Sequence, residues 1–371
     1  MSDASDDAAL PGSRVPLREL PKISLHDHLD GGLRPQTILE LADAIGFEAP
    51  APDAAALGAW FAAQSDSGSL VEYLRTFDVT LAVMQTAEGL TRVAREFVED
   101  LHADGVIYGE IRWAPEQHLT RGLSLDAAVE AVQHGIDEAV DAVDAAGGFI
   151  RAGQLVSAMR QNDRGREIAE LALRHRGHGV VGFDTAGPEA GFPPSRNRAA
   201  FDLLASEWMP VTIHAGEADG LDSIRSALLD GRALRLGHGV RIAEDVEISD
   251  GEAGLEVTMG PLAQWVRDRG IALETSPSSN LQTGAIAQWG STMGDHPFDL
   301  LYQLGFRVTV NTDNRLMSAT TLTRELALLA DAFGYDITDV EAFQLNAAEV
   351  AFLPLEDREE LVERIGAGFG R

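Results

Sequence analysis

The chain has no cysteine and a single lysine, Lys22. The first absence excludes a disulfide framework, a thiolate zinc site and a cysteine nucleophile. Positive charge is scarce throughout. Lys and Arg total 29 against 59 Asp and Glu, a net charge of −30. Such a surface repels nucleic acid and anionic lipid, so neither is expected as a partner. No apolar run is long enough to span a bilayer. The first sixteen residues lack the basic start and apolar stretch of a signal peptide. The expectation is a cytoplasmic enzyme, monomeric or weakly homo-oligomeric.

What is present is apolar material for a core. Hydrophobic residues make up 45% of 371, enough for one large barrel or two ordinary domains. A polar, acidic segment over 1–16 reads as a disordered tail, followed by a single domain over 17–371. Short β-branched runs lie at 23–29, 106–112, 149–156, 180–184, 211–214, 233–236, 271–275 and 307–311. Helical patterns separate them at 69–103 (broken near 85–89), 125–146, 164–174, 196–207, 221–229 and 261–269. Eight such strands with crossover-sized connections predict α/β architecture, a (β/α)8 TIM barrel with extra helices over its C-terminal mouth. A doubly wound open sheet would give a similar pattern. Two stretches read as insertions. The aromatics Trp60, Phe61, Tyr73 and Phe77 suit either core packing or a lid. The acidic, Gly-containing stretch 244–256 reads as a solvated loop.

The ten histidines narrow the chemistry. His26 and His28 are two apart on the first expected strand, so both face the same way, and Asp30 continues the alternation. A lone His-x-His is a weak signal, equally compatible with a partly buried pair. Three other strand ends add to it: His214 after Val211-Thr212-Ile213, His238 after Leu236-Gly237, and Asp313 after Asn311-Thr312. In a parallel barrel the strand C-termini share the face that carries the active site. Three imidazoles and a carboxylate suit one zinc ion with an open position for water. A metal there lowers the pKa of bound water to about 7. A two-metal site bridged by a modified lysine late in the barrel is excluded, because Lys22 precedes the first strand. Glu217, three residues after His214, is placed for acid–base work beside the metal. His238 suits either orienting the water or acting as its base. His102, His118, His134, His175 and His178 read as structural or exposed, and His296, before Pro297 at a helix start, is given no catalytic role.

These residues sit in runs that together resemble the adenosine deaminases of the metal-dependent amidohydrolase superfamily. The runs are LPKISLHDHLDG over 20–31, GEIRWAP over 109–115, VGFDTAG over 181–187, TIHAGE over 212–217, RLGHGV over 235–240, SPSSN over 276–280 and NTD over 311–313. The resemblance covers 17–353. It implies one zinc per chain on His26, His28, His214 and Asp313, with His28 also in the substrate pocket. It implies Glu217 as proton donor to purine N1 and His238 as the residue orienting the attacking water. Gly187 N–H would donate to N3, Asp30 would bind the ribose 5′-hydroxyl, and Leu70, Tyr73, Leu74 and Phe77 would cover the ring. The implied reaction is zinc-dependent hydrolytic deamination of adenosine and 2′-deoxyadenosine to inosine and ammonia, a purine-salvage step on a small nucleoside. Cysteine-ligated nucleobase deaminases are a different class, excluded by composition.

Two positions depart from the pattern. Relatives carry a second aspartate after the ligand on the last strand, where this chain has Asn314. Purine N7 is an acceptor, and an amide donates to it without needing protonation, so Asn314 reads as an adequate replacement. Pro188 follows the Ala-Gly pair where relatives often have an acid. Asp30 argues for a nucleoside over free adenine, whose deaminases place glutamate there. The alternative within the same chemistry is another 6-aminopurine, either adenine or a 5′-modified adenosine. The alternative outside it is a catalytically silent zinc-binding or signalling relative.

Overall fold

In a computed structural model of the chain, residues 9–13, 15–251 and 254–371 are described. Ten strands occur among them: β1 (Lys22–His28), β2 (Val106–Trp113), β3 (Arg151–Met159), β4 (Val180–Ala186), β5 (Thr212–Ala215), β6 (Arg235–His238), β7 (Val246–Gly251), β8 (Gly254–Met259), β9 (Ala272–Thr275) and β10 (Val308–Val310). Eight form the barrel in two parallel arcs, β1-β2-β3-β4 and β10-β9-β6-β5. Parallel bridges close it, Phe183 to Val211 between β4 and β5 and Asp27 to Asp313 between β1 and the end of β10. Each of the eight overlaps an expected strand. Closure excludes the open doubly wound sheet and makes the fold a (β/α)8 TIM barrel.

The outer faces of the strands bury Val, Ile, Leu and Phe against the surrounding helices. The lower interior is charged instead. Arg112 reaches Glu274 at 2.6 Å and Asp184 at 3.1 Å, and Arg235 pairs with Glu274 at 2.6 Å and also with Glu110. All five side chains are essentially inaccessible. Removing one member of such a pair leaves an uncompensated charge, at a cost of about 3–5 kcal/mol. The network is the rigid floor on which the upper site stands.

Three expectations need adjusting. The stretch read as a solvated loop at 244–256 is an antiparallel hairpin, β7 with β8, pairing Ile248 with Val257 and Val246 with Met259. Ile248 and Val257 are 48% and 43% exposed. Because neither face of this pair is fully buried, the apolar alternation is too sparse to separate it from a loop. The helical stretch 69–103 is three helices, Leu70–Leu74, Phe77–Val83 and Ala87–Ala103, the last capped by Thr86 accepting from Gly89 N–H. Of the expected tail, residues 1–8 and 14 lie outside the described residues. Leu10 packs on the core and Pro11 accepts from Ile337 N–H at 3.1 Å.

The aromatics of the first insertion divide between the two roles weighed for them. Phe61, on the helix Ala54–Ser65, is wholly buried in the core, a burial that contributes about 1.5–3 kcal/mol. Tyr73 and Phe77 face the barrel mouth. Among the described residues, no helix is long and apolar enough to cross a membrane.

Candidate active site

The C-terminal strand ends converge on one cavity of about 230 Å³. It is lined by His28, Asp30, Gly187, His214, Glu217, His238, Asp313 and Asn314, with Leu70, Tyr73, Leu74 and Phe77 on its apolar side. His26 lies beneath, its Nε2 3.3 Å from Asp313 Oδ1. All thirteen positions singled out from sequence are therefore in one place. A larger cleft of about 450 Å³ beside Arg34, Asp100 and Arg315 contains none of them.

The imidazoles are arranged to offer lone pairs. His26 Nδ1 lies 3.1 Å from Glu274, and His214 Nδ1 lies 2.9 Å from Asp184. Burial works to raise both acids, but Arg112 and Arg235 outweigh it for Glu274, and His214 and Arg112 outweigh it for Asp184. Both acids are therefore ionised; Glu274 accepts the His26 Nδ1 proton, and the charge of Asp184 beside His214 Nδ1 favours a proton there, which leaves each Nε2 bare. The Nε2 of His26 is buried and has no hydrogen-bond partner. His28 Nε2 is 3.3 Å from Asp313 Oδ1 and 3.2 Å from His214 Nε2. Burial lowers the pKa of His28 and His214, favouring the neutral form that binds metals. Ser279 Oγ donates to Asp313 Oδ2 at 2.6 Å, so Oδ1 is the oxygen facing the rings. Atoms of His26, His214, His238 and Asp313 lie within 4.8 Å of one another, and His28 sits equally close to Asp313. Buried, neutral, inward-facing imidazole nitrogens around one carboxylate fit a zinc ion.

Backbone strain marks the same strand ends. His238 and Asp313 adopt φ of 60° and 59°, a left-handed conformation costly for non-glycine residues and common at functional sites. Gly187 has φ 93°, a left-handed conformation that favours glycine, and its backbone lies open to the cavity beside the flexible end of Gln161. Asn314 packs directly over Gly31, where any side chain would collide.

Glu217 is 4% exposed. Burial, then the charges of Asp313 and Glu189, raise its pKa well above the usual range, so it holds a proton. His238 Nε2 is 3.5 Å away. Burial, and then the neighbouring His26, keep His238 neutral. Burial pushes Asp30 up to about 7, against a backbone hydrogen bond, with Asp313 adding to the rise. Among the described residues lining the cavity there is no Arg or Lys.

Several supporting residues have no role assigned from the sequence, although Asn280 closes the matched run over 276–280. Glu189 accepts from the backbone N–H groups of Gly216, Glu217, Ala218 and Asp219 and from Ser223 Oγ, at 2.5–3.0 Å. Arg160 donates to the His214 carbonyl from the other side. Asn280 contacts His238 Nδ1 at 3.0 Å, and His296 contacts Asn280 at 3.2 Å. His296 is thus buried behind the site, and Pro297 precedes its helix, Phe298–Gln303, rather than opening it. The other histidines lie away from the cavity. His118 is buried against the Met84 carbonyl, and His134 is exposed beside Glu138.

Comparison with known proteins shows the family. The family model for adenosine deaminase matches residues 21–367. An adenosine deaminase of Mycobacteroides abscessus is 51% identical over 353 residues, 95% of each chain. The Arabidopsis N6-mAMP deaminase has a similar structure, with TM-score 0.79 and 27% identity over 95% of this chain and 99% of that one. A zinc-bound amidohydrolase from Burkholderia ambifaria shares the fold at TM-score 0.80 and 23% identity, over 99% and 96% of the two chains. A buried His/Asp cluster at the mouth of a closed barrel, and sequence identity along nearly the whole chain, place this protein in the adenosine deaminase family.

Proposed function

We propose that the chain hydrolyses adenosine, and 2′-deoxyadenosine, to inosine and ammonia, with one zinc held by His26, His28, His214 and Asp313. The observation that carries this reading is the placement of Glu217: a buried carboxyl 3.5 Å from His238 Nε2, beside a metal-capable cluster, where burial favours its protonated form. When bound, the metal supplies Lewis-acid activation of the attacking water. The remaining work falls to the chain.

Glu217 delivers its proton to purine N1, which makes C6 electrophilic. Such general acid catalysis contributes about 10²–10⁴-fold. Water adds to C6 and gives up both its protons: one reaches the 6-amino group, so that the C6–N bond breaks with release of ammonia, and the other returns to the Glu217 carboxylate and restores the acid. Oxygen from water replaces nitrogen and no redox partner is needed. His238 orients the water from the Glu217 side. Gly187 N–H donates to N3 from a backbone position that no side chain obstructs. The Asn314 amide donates to N7. Leu70, Tyr73, Leu74 and Phe77 exclude solvent above the ring, which strengthens each polar contact below it.

Asp30 accepts the ribose 5′-hydroxyl. The absence of Arg and Lys among the described lining residues leaves a 5′-phosphate without a counter-charge, and this favours a nucleoside over a nucleotide. Initial rates on adenosine, adenine and AMP test the choice directly. Adenosine should be preferred by at least about tenfold over either, a margin of 1.4 kcal/mol. Preference for adenine or AMP would reject the nucleoside assignment and leave the deaminase chemistry in place.

A further inference from the structure

His238 is a neutral imidazole with one proton to place, and which nitrogen carries it decides what the ring can do. If Nε2 is bare, the ring faces Glu217 and the reaction centre as an acceptor or base. If Nε2 is protonated, it faces them as a donor. A chain of buried hydrogen bonds running away from the site settles the question, because it begins at groups with no freedom.

The chain starts at two backbone amides. Phe298 N–H donates to His296 Nδ1 at 3.0 Å. A backbone N–H cannot accept, so His296 Nδ1 must carry the lone pair, and the neutral ring places its proton on Nε2. Burial lowers the His296 pKa to about 3, so the ring is neutral. His296 Nε2 lies 3.2 Å from Asn280 Oδ1 and donates to it. Ser276 N–H approaches the same oxygen at 3.4 Å, a second donor that fixes which end of the amide is oxygen. The Asn280 amide nitrogen therefore points at His238 Nδ1, 3.0 Å away, and donates to it. Asn280 is wholly buried, and His238 and His296 are 1% and 2% exposed, so water does not compete for these contacts.

We infer that Asn280 and His296 are positioning residues that lock His238 in the Nε2–H tautomer, so that it meets the attacking water as a hydrogen-bond donor and not as a base. The same proton occupies the nitrogen that would otherwise bind the metal, which separates His238 from His26, His28 and His214. Two of those three are set the opposite way: Glu274 and Asp184 draw the proton of His26 and His214 to Nδ1. One pocket thus holds imidazoles of both tautomers, each dictated by the chemistry of the group behind it, carboxylate or amide. The catalytic half of this inference rests on the proposed role of His238, while the tautomer itself does not.

The test is nitrogen NMR of the metal-loaded enzyme labelled at histidine, with His238 assigned by comparison with His238→Asn. The wild type should show His238 protonated at Nε2 and bare at Nδ1. A proton at Nδ1 would overturn the relay outright. Asn280→Asp replaces the donating amide with an acceptor of the same shape, and should place a proton on Nδ1; an unchanged spectrum would also overturn it. Asn280→Leu removes the donor and should lower kcat about tenfold, the equivalent of one hydrogen bond, with KM changed less than about threefold. Should Asn280→Leu lose the Nε2–H preference and keep full turnover, the relay stands and the donor role of His238 is refuted. The wild-type spectrum decides the tautomer even if neither variant folds.

Discussion

Replacing Glu189 with glutamine should weaken both the fold and the chemistry, although Glu189 touches neither metal nor purine in the proposed mechanism. Its two oxygens accept four backbone N–H groups and one hydroxyl from the segment that begins just after His214 and carries Glu217. One oxygen serves Gly216 and Ser223, and the other serves Glu217, Ala218 and Asp219. An amide keeps one oxygen. Its better orientation faces the three-donor side and sets an NH₂ against Gly216 N–H. Ser223 can rotate and accept instead, so one buried backbone donor is orphaned at about 1–3 kcal/mol. The surviving bonds lose their charge assistance, which adds about another 1–2 kcal/mol. The expected total is about 3 kcal/mol, a large fraction of the roughly 5–15 kcal/mol that stabilises a domain. Urea unfolding reads it as a lower midpoint at unchanged slope. With the loop loosened, kcat for adenosine should fall about 10- to 100-fold while KM moves less than about threefold. Glu189→Gln protein that is less stable but turns over within threefold of wild type would refute the idea that this carboxylate aims Glu217.

Other outcomes follow from single residues. Glu217→Gln should keep its bound metal and lose about 10²–10⁴-fold in kcat, measured with metal content on the same sample; retained turnover would reject Glu217 as the acid. Asn314→Leu should cost adenosine about tenfold in kcat/KM, one hydrogen bond, and cost almost nothing with 7-deazaadenosine, which has no N7 acceptor. An equal loss on both substrates would mean that Asn314 does not read N7. His118 gives the pH prediction. Burial lowers it to about 4, with the Met84 carbonyl opposing. The unfolded chain takes up that proton near pH 6.5, but the folded chain does so only near 4, so the unfolded state binds more protons in between. Stability is therefore full above about 6.5 and falls as pH drops towards 4, by roughly 3 kcal/mol at most. His118→Gln should flatten this limb in urea melts from pH 7 to 4.5, and an unaltered slope would assign it to other groups.

Much of the architecture was legible because parallel barrel strands are buried on both faces and stand out as β-branched runs. The expected runs at 23–29, 211–214 and 233–236 lie within two residues of β1, β5 and β6 for this reason. The hairpin of β7 and β8 was not, since Ile248 and Val257 are half exposed and the segment is acidic. The metal-capable residues were legible because His26, His28, His214, His238 and Asp313 sit at or near strand ends, a position that periodicity reveals, whereas the helical cover of Leu70, Tyr73, Leu74 and Phe77 was legible only through the family resemblance. The support of the site was not legible, because a supporting partner is close only after folding. Glu274 lies 248 residues from His26, and Asn280 lies 42 from His238. Glu189 is the sharpest case: nothing in the sequence pairs it with the segment after His214, and only the turn of the chain there brings five donors onto it. The tandem acids of relatives were visible by comparison, so Asn314 stood out as a departure, yet its contact with Gly31 required coordinates.

The central claim is that a single zinc on His26, His28, His214 and Asp313 works with the Glu217 proton to deaminate adenosine. Measuring bound metal and the loss of adenosine absorbance on one sample, before chelation, after it and after zinc is restored, tests this most directly. The account predicts about one zinc per chain, turnover abolished with the metal and recovered in proportion to its return. Full activity in chelated, metal-free protein, or two metals per active chain, would contradict it.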